Sequence, residues 1–441
     1  MDTSRNVIPF TELSHFAGFD WASEKHDVVV VDRQGRVLLE LEFPDTSEGW
    51  ATLRAKLAAL LPPAKDLGRI GVAIETSRGP AVERLLEMGL RVYPLNPKAA
   101  ERYRDRKAPS GVKDDLLDAW SFGDALRTDG HDWRALLPDD PATQELRILC
   151  RDEIGLIQER TALVLRLQAA LHEYYPAAGE AFDDWTMPSA WEFILRFPTP
   201  QDLARKGKRT WEKFLHTHRL ARPESYAMRM AVFAKAGEFV NPSAAVTGAK
   251  SLLAISLVKQ LQTLQEQLHI YRARIEEAFA KHPDHDLFDS LPGAGAKLAP
   301  RLLGELGANR QVFAAPEDLQ CYAGTAPVTL KSGKRCWAKL RRACNKTLRS
   351  TVHLWVDESR RYCAWAQAYY QKKREEGHGH AQALRCLGQR WLKILWKMWQ
   401  DHTSYDEARH ALDQTRHGSW VIGLLPAAQA APTPATPTPA A

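Results

Sequence analysis

Four carboxylates in the N-terminal third have types and spacing suited to holding a divalent cation. Asp20 closes the apolar run 16–20, and Glu75 closes a second run, 69–75. Asp115 and Asp118 stand three residues apart at the start of a helical stretch, and so share a helix face. Asp114 competes with Asp115, but the spacing to Asp118 and the Lys113-x-Asp115 context favour Asp115. If the two apolar runs are neighbouring strands, their carboxylates meet at one end of a sheet, where open α/β sheets place their sites. Buried unpaired, four such groups repel at a cost of several kcal/mol. A divalent ion removes that cost, and ligation by oxygen alone favours Mg²⁺ or Mn²⁺. Two ions about 3.5–4 Å apart are the usual arrangement for phosphodiester chemistry. Taken singly, the same residues read as strand-end surface charges and as helix N-terminal acids complementing the dipole. Their order along the chain favours a shared site.

A second constellation lies two hundred residues downstream. Lys331, Lys334, Arg335, Lys339, Arg341, Arg342, Lys346 and Arg349 follow one another with no Asp or Glu among them. So one-sided a patch repels itself and gains most from a polyanion such as a phosphodiester backbone. Ser332 lies inside it, followed by Gly333, which lets the backbone turn tightly and a phosphate approach. On its own the stretch reads rather as a basic surface loop with an ordinary serine. Just upstream, Leu291-Pro-Gly-Ala-Gly295 places Gly293 and Gly295 at the start of an apolar-periodic helix. Such a turn presents free backbone N–H groups and resembles a helix-hairpin-helix, which grips DNA phosphates without reading bases; it reads equally as a plain helix-start turn.

The bulk numbers set bounds. A chain of 441 residues, 44% hydrophobic and 26% charged, is long enough for two or three domains. The formal charge of +6 and mean hydropathy of −0.39 suit a soluble globular protein. Six cysteines without a CxxC pair suggest neither a disulfide framework nor a zinc knuckle, and thiols in a reducing cytosol are expected. No signal peptide and no apolar run of about 18 residues is read.

Residues 1–14 read as a flexible lead-in. Asp27 to Asp32, a Gln34-Gly35 turn and Arg36 to Phe43 read as a β-hairpin. Helix 46–61, strand 69–75, helix 80–88, strand 91–95, a helix from Pro97, a loop near 108–111 and helix 115–126 follow. Hairpin first, then alternating helix and strand, indicates an α/β layer with a mixed sheet over residues 15–135. Residues 141–175 and 243–281 carry long amphipathic helices that would pair as an antiparallel coiled-coil arm, spanning 141–284 with a Trp-rich helical insertion at 176–240. Residues 285–405 are expected to be mainly α, with helices near 347–374 and 381–400. The Ala/Pro/Thr run at 424–441 is expected to be disordered.

Specific motifs now carry a resemblance. Gly18-Phe-Asp20-Trp-Ala-Ser-Glu-Lys-His26, Ala73-Ile-Glu75 and Lys113-Asp-Asp115-Leu-Leu-Asp118-Ala119 resemble the DEDD motifs of a RuvC-like, RNase H-like transposase domain. Leu291-Pro-Gly-Ala-Gly295, Tyr322-Ala-Gly324 through Pro327, and Ser332-Gly333 resemble the C-terminal domain of the same family, insertion-sequence family one-hundred-and-ten. Leu340 to Lys346 departs from it, standing where members often carry Ser-Lys-x-Gly. The resemblance implies an RNA-guided DNA recombinase in which Ser332 attacks a phosphodiester and holds the strand as a phosphoserine ester. Mg²⁺ (or Mn²⁺) on Asp20, Glu75, Asp115 and Asp118 would assist. A structured noncoding bridge RNA would pair with donor and target DNA. A homo-oligomer is implied, a dimer assembling to a tetramer, in the cytoplasm and with the nucleoid of a prokaryote. Two other readings stand: a RuvC-like metal-dependent endonuclease or junction resolvase in which Ser332 is incidental, and a non-enzymatic nucleic-acid-binding protein on an inactive fold.

Overall fold

The computed structural model describes residues 9–62, 66–107, 114–137, 139–236, 238, 243–421 and 423. The loop at 108–111, Lys113 and the run at 424–441 lie outside them. The chain divides into two compact units, Met1–Pro138 and Asp139–Ala441.

The first unit is a five-stranded mixed sheet with helices. Its elements are β1 (His15–Trp21), β2 (Lys25–Asp32), β3 (Val37–Pro44), α1 (Ser47–Ala59), β4 (Ile70–Ile74), α2 (Pro80–Glu87), β5 (Arg91–Pro94), α3 (Pro97–Lys107) and α4 (Asp115–Asp129). The order is β3-β2-β1-β4-β5, with β2 antiparallel to both its neighbours and β1, β4 and β5 parallel. The Val28 to Val31 run in β2 is buried on both faces, as a central strand requires. One face carries Phe19, Phe43, Trp50, Leu53 and Val82; the other carries Phe16, Tyr93, Phe122 and Leu126.

One contact fixes the site. A Cβ on Gly18 would lie 1.7 Å from the Ala119 carbonyl, and one on Gly123 would lie 2.9 Å from the Gly18 nitrogen. Two side-chain-free positions therefore face each other, and α4 rests directly on the backbone of β1. Residues 9–14, expected as a free lead-in, are instead anchored. Leu13 is fully buried, and Phe10 packs its ring against Phe16 and Tyr93. Two apolar side chains tied to the strand edge outweigh the polar residues around them.

The second unit opens with α5 (Pro141–Tyr174). Then come α6 (Pro176–Ala181), α7 (Pro188–Arg196), α8 (Pro200–Thr217), α9 (Pro223–Ala234) and the long α10 (Ala244–Ala280). Helices α5 and α10 run antiparallel, for their polar pairs descend in register: Glu145–Arg274, Glu153–Arg272, Arg160–Gln265 and Glu173–Lys250. The insertion has its own core, in which Trp185, Trp191, Phe193, Phe197 and Leu215 close around Leu171 of α5 and Leu257 of α10. No helix among the described residues is long and apolar enough to cross a membrane.

The rest comprises α11 (His285–Asp289), α12 (Gly295–Leu306), α13 (Pro316–Tyr322), the hairpin β6 (Val328–Ser332) and β7 (Arg335–Lys339), α14 (Lys346–Ser359), α15 (Ala364–Glu375), α16 (His380–Asp401) and α17 (Glu407–Arg416). Its core contains Leu302, Trp355, Trp391 and Trp399. Two expectations change. The helix read over 347–374 is two helices broken at 360–363, where Cys363 turns inward and is buried. The basic stretch is not a loop in its first half but a two-stranded antiparallel hairpin.

Candidate active-site elements: a carboxylate cluster and a serine hairpin

In the first unit, Asp20 sits near the end of β1, and Glu75 follows the last residue of the parallel neighbour β4. Asp115 is the first residue of α4 and Asp118 lies in its first turn. Asp114 is the N-cap, its side chain accepting from the Leu116 N–H at 3.1 Å, so it is occupied in capping the start of the helix. Asp118 is buried and Asp115 is exposed. The close seat of α4 on Gly18 lays this first turn over the strand ends.

The electrostatics show how near the acids are. Asp20 is pushed up from 3.8 to about 6, first by burial and then by the charges of Asp118, Asp115, Glu75 and Asp27. Burial also pushes Glu75 up; Arg104 opposes that rise and Asp118 adds to it. A fifth acid, Asp27, was not singled out from sequence. It lies directly opposite Asp20 in the β1–β2 register, is buried, and is itself raised, chiefly by burial. Its position seven residues after Asp20, across a tight turn, was the available signal.

A cation fits this donor set: all its ligating atoms are carboxylate oxygens, and their charges disfavour one another. Among the described residues, however, no three side chains already form a cage around one ion position. Arg104 of α3 stands beside the acids, and its Nε forms an ion pair with Asp118. The guanidinium brings positive charge to the acids and pairs through Nε with one of the two Asp118 oxygens. The other buried acid of α4, Asp124, is held by Arg106 and Arg127 and belongs to the scaffold.

In the second unit, Ser332 ends β6 and pairs with Arg335, so the turn contains only Gly333 and Lys334. Gly333 has φ +56°, the conformation that a two-residue hairpin turn with Gly first demands. Ser332 is thus exposed at the tip of the hairpin, and residues 331–340 are all exposed.

The root of the hairpin is as fixed as the tip is free. Gly324 (φ +68°) has no room for a side chain, because a Cβ would lie 2.6 Å from Cys344 Sγ. The returning chain closes over it, and the Asn345 N–H donates to the Tyr322 carbonyl at 2.8 Å. Asn345 also caps α14 by accepting from Leu348, and its Nδ2 donates to Glu305 at 2.7 Å and to the Tyr322 hydroxyl at 2.9 Å. Glu305 is buried and held bidentately by Arg151 at 2.6 and 2.8 Å. Segment 340–346, where the family pattern departs, is therefore the strap that returns the hairpin to the core. Arg341 lies along it, donating to the Ala326 carbonyl, and Arg349 reaches the Arg341 carbonyl. Lys331, Lys334, Arg335, Lys339, Arg342 and Lys346 are exposed.

The two glycines of the 291–295 turn differ. A Cβ on Gly293 would meet the Ser359 nitrogen at 2.8 Å, so Gly293 serves the packing of the turn against the end of α14. Trp355 Nε1 donates to the Pro292 carbonyl and locks the same contact. Gly295 is exposed, with open space around it.

Residues 17–176 match a family described as Transposase, of the DEDD type, which implies an RNase H-like fold and agrees with the mixed sheet of the first unit. Residues 285–371 match the family described as Transposase IS116/IS110/IS902. The IS117 mini-circle protein of Streptomyces coelicolor, named as a candidate transposase, is 32% identical over 403 residues, 90% of this chain and 96% of that protein. The 43.6 kDa protein of insertion element IS110, also from Streptomyces coelicolor, is 25% identical over 407 residues, 90% and 96% of the two chains. The 42 kDa protein of IS900 from Mycobacterium paratuberculosis is 27% identical over 405 residues, 89% and 97%. The molecule is a transposase, an enzyme of DNA cleavage and rejoining. Within that class, the chain belongs to the IS110 family.

Proposed function

We propose that the chain is an RNA-guided DNA recombinase that cuts and rejoins donor and target DNA through a phosphoserine formed on Ser332. The observation that carries this reading is the position of Ser332 at the exposed tip of an acid-free basic hairpin whose root is fixed. Its hydroxyl oxygen forms the new bond to phosphorus, and the bond from phosphorus to one deoxyribose oxygen breaks, with the proton passing to the departing strand end. Attack by another strand end on the phosphoserine reverses these steps and rejoins DNA without a free break. Lys334 and Arg335 stabilise the negative charge that grows on the phosphate, and Lys331, on the other face of the hairpin, adds to the basic surface around it. Asp20, Glu75, Asp115 and Asp118 are the residues that would hold Mg²⁺ or Mn²⁺, and such an ion would supply Lewis-acid polarisation of a phosphate.

Lys339, Arg341, Arg342, Lys346 and Arg349 extend the basic surface along a nucleic-acid backbone, and Gly295, at the start of α12, offers its backbone N–H to a phosphate. Those contacts carry no sequence information, so site choice falls to a structured guide RNA pairing with each DNA. The paired helices α5 and α10 serve as a coiled-coil arm for assembly into a dimer and then a tetramer, with residues 15–135 and 285–405 as the two chemical domains. The test is recombination of a chosen donor and target by purified protein, Mg²⁺ and the RNA transcribed from the element's own flank. Product is expected only with that RNA; site-specific recombination by RNA-free protein would contradict the reading.

A further inference from the structure

Trp337 is a large aromatic side chain left 42% exposed on β7; Trp21 and Trp420 are exposed to a similar extent, but Trp337 is the one that stands in the basic hairpin beside Ser332. The hairpin register shows where it points. Ser332 pairs with Arg335, Leu330 with Trp337 and Val328 with Lys339. Side chains alternate across a strand, so Ser332, Arg335, Trp337 and Lys339 share one face, with Lys331 and Cys336 on the other. Trp337 is the diagonal neighbour of Ser332, about 7–8 Å away on that face. Nearby Leu330 is too small to cover the indole, and both are flanked by cations with no acid from 331 to 349.

An exposed π-face set between cations suits a chain of phosphates carrying flat, stackable bases. Duplex DNA offers the phosphates but hides the base faces within its own stack, so an indole reaches one only where a pair is opened. We propose that Trp337 is a stacking platform for an unpaired DNA base one or two nucleotides from the phosphate attacked by Ser332. The strand delivered to the serine is then melted at that point. The inference rests on Ser332 being the nucleophile, which also selects DNA over RNA as the strand on this face.

The test measures equilibrium binding of the full chain to a fluorescent single-stranded DNA oligonucleotide, the same oligonucleotide with abasic positions, its duplex, and an RNA of the same sequence. Trp337→Ala is expected to weaken single-strand binding roughly fivefold to a hundredfold, the range of one base–aromatic stack. Its salt slope and duplex affinity stay unchanged, because every cation remains. Trp337→Phe should bind nearly as wild type, which shows that a folded hairpin with any ring suffices. Abasic DNA should bind wild type as weakly as intact DNA binds Trp337→Ala. Unchanged single-strand binding in Trp337→Ala, or an equal loss on duplex, overturns the proposal; a Trp337-dependent loss confined to RNA overturns the choice of DNA. Ser332→Ala should bind every probe as wild type does, so a failure of the serine reading appears in its covalent chemistry and a failure of the stacking reading appears here.

Discussion

Replacing Asp20 with Asn should stabilise the metal-free protein. Burial and the surrounding acids raise the Asp20 carboxyl from 3.8 to about 6. A raised carboxylate pKa means that the folded state holds its proton more tightly than the unfolded state does. Stability is therefore fullest below the unfolded value, falls as pH climbs from 3.8 to about 6, and stays low above that. Two pKa units at 1.36 kcal/mol each set a ceiling of about 3 kcal/mol. Asp20 is only half-buried, and solvent screening reduces this to about 1–2 kcal/mol. Asparagine keeps the shape without the charge, so calorimetry in a chelator at pH 7.5 should find the first unit's transition roughly 3–12 °C higher in Asp20→Asn. At pH 4 the two proteins should nearly coincide. Excess Mg²⁺ should reverse the order, stabilising wild type by about 2–3 kcal/mol at a hundredfold excess over its dissociation constant and the variant much less. A difference that is independent of pH, or a variant less stable than wild type in chelator, refutes the crowded-carboxylate geometry.

Removing Arg104 (Arg104→Ala) takes away the ion-pair partner of Asp118. It should destabilise the metal-free protein by about 1–3 kcal/mol and enlarge the thermal shift produced by Mg²⁺. A loss of the same size with and without Mg²⁺ would show that the guanidinium and the cation do not compete for Asp118. Gly18→Ala would place a Cβ 1.7 Å from the Ala119 carbonyl. The expected cost is about 3 kcal/mol or more, with weaker Mg²⁺ stabilisation because α4 is lifted off β1. Gly155→Ala, within α5 and with nothing within 4 Å of its Cβ, is the control and should be stabilising by up to about 1 kcal/mol in chemical denaturation.

Much of the first unit was legible from its residues. The Val28–Val31 run marks a central strand, Gly35 (φ +83°) marks the hairpin turn, and acids at strand ends mark the sheet edge on which α4 rests. What escaped depends on contacts distant in sequence. Arg104 meets Asp118 only because α3 packs beside α4, and nothing in the local sequence of either announces it. Leu13 lies in a polar lead-in yet is fully buried. Gly293 resembles a phosphate-loop glycine, but the backbone of Glu358 and Ser359 takes the space beside it. The β6–β7 hairpin was masked by its charge: Lys331 and Lys334 hide an alternation of Val328, Leu330 and Ser332 against Arg335, Trp337 and Lys339. A Gly-Lys pair between two five-residue runs was the missed turn signal.

The most direct measurement is the fate of labelled DNA incubated with protein, guide RNA and Mg²⁺, resolved under denaturing conditions and followed by mapping of the modified peptide. Wild type is expected to give a covalent protein–DNA adduct on Ser332. Ser332→Ala should bind RNA and DNA as wild type does, since every cation remains, yet form neither adduct nor recombinant. Thr329→Ala and Ser350→Ala, which remove the neighbouring hydroxyls, should keep both. An adduct that maps to another residue, or that persists in Ser332→Ala, would contradict the serine mechanism and leave the carboxylate cluster as a metal-dependent endonuclease.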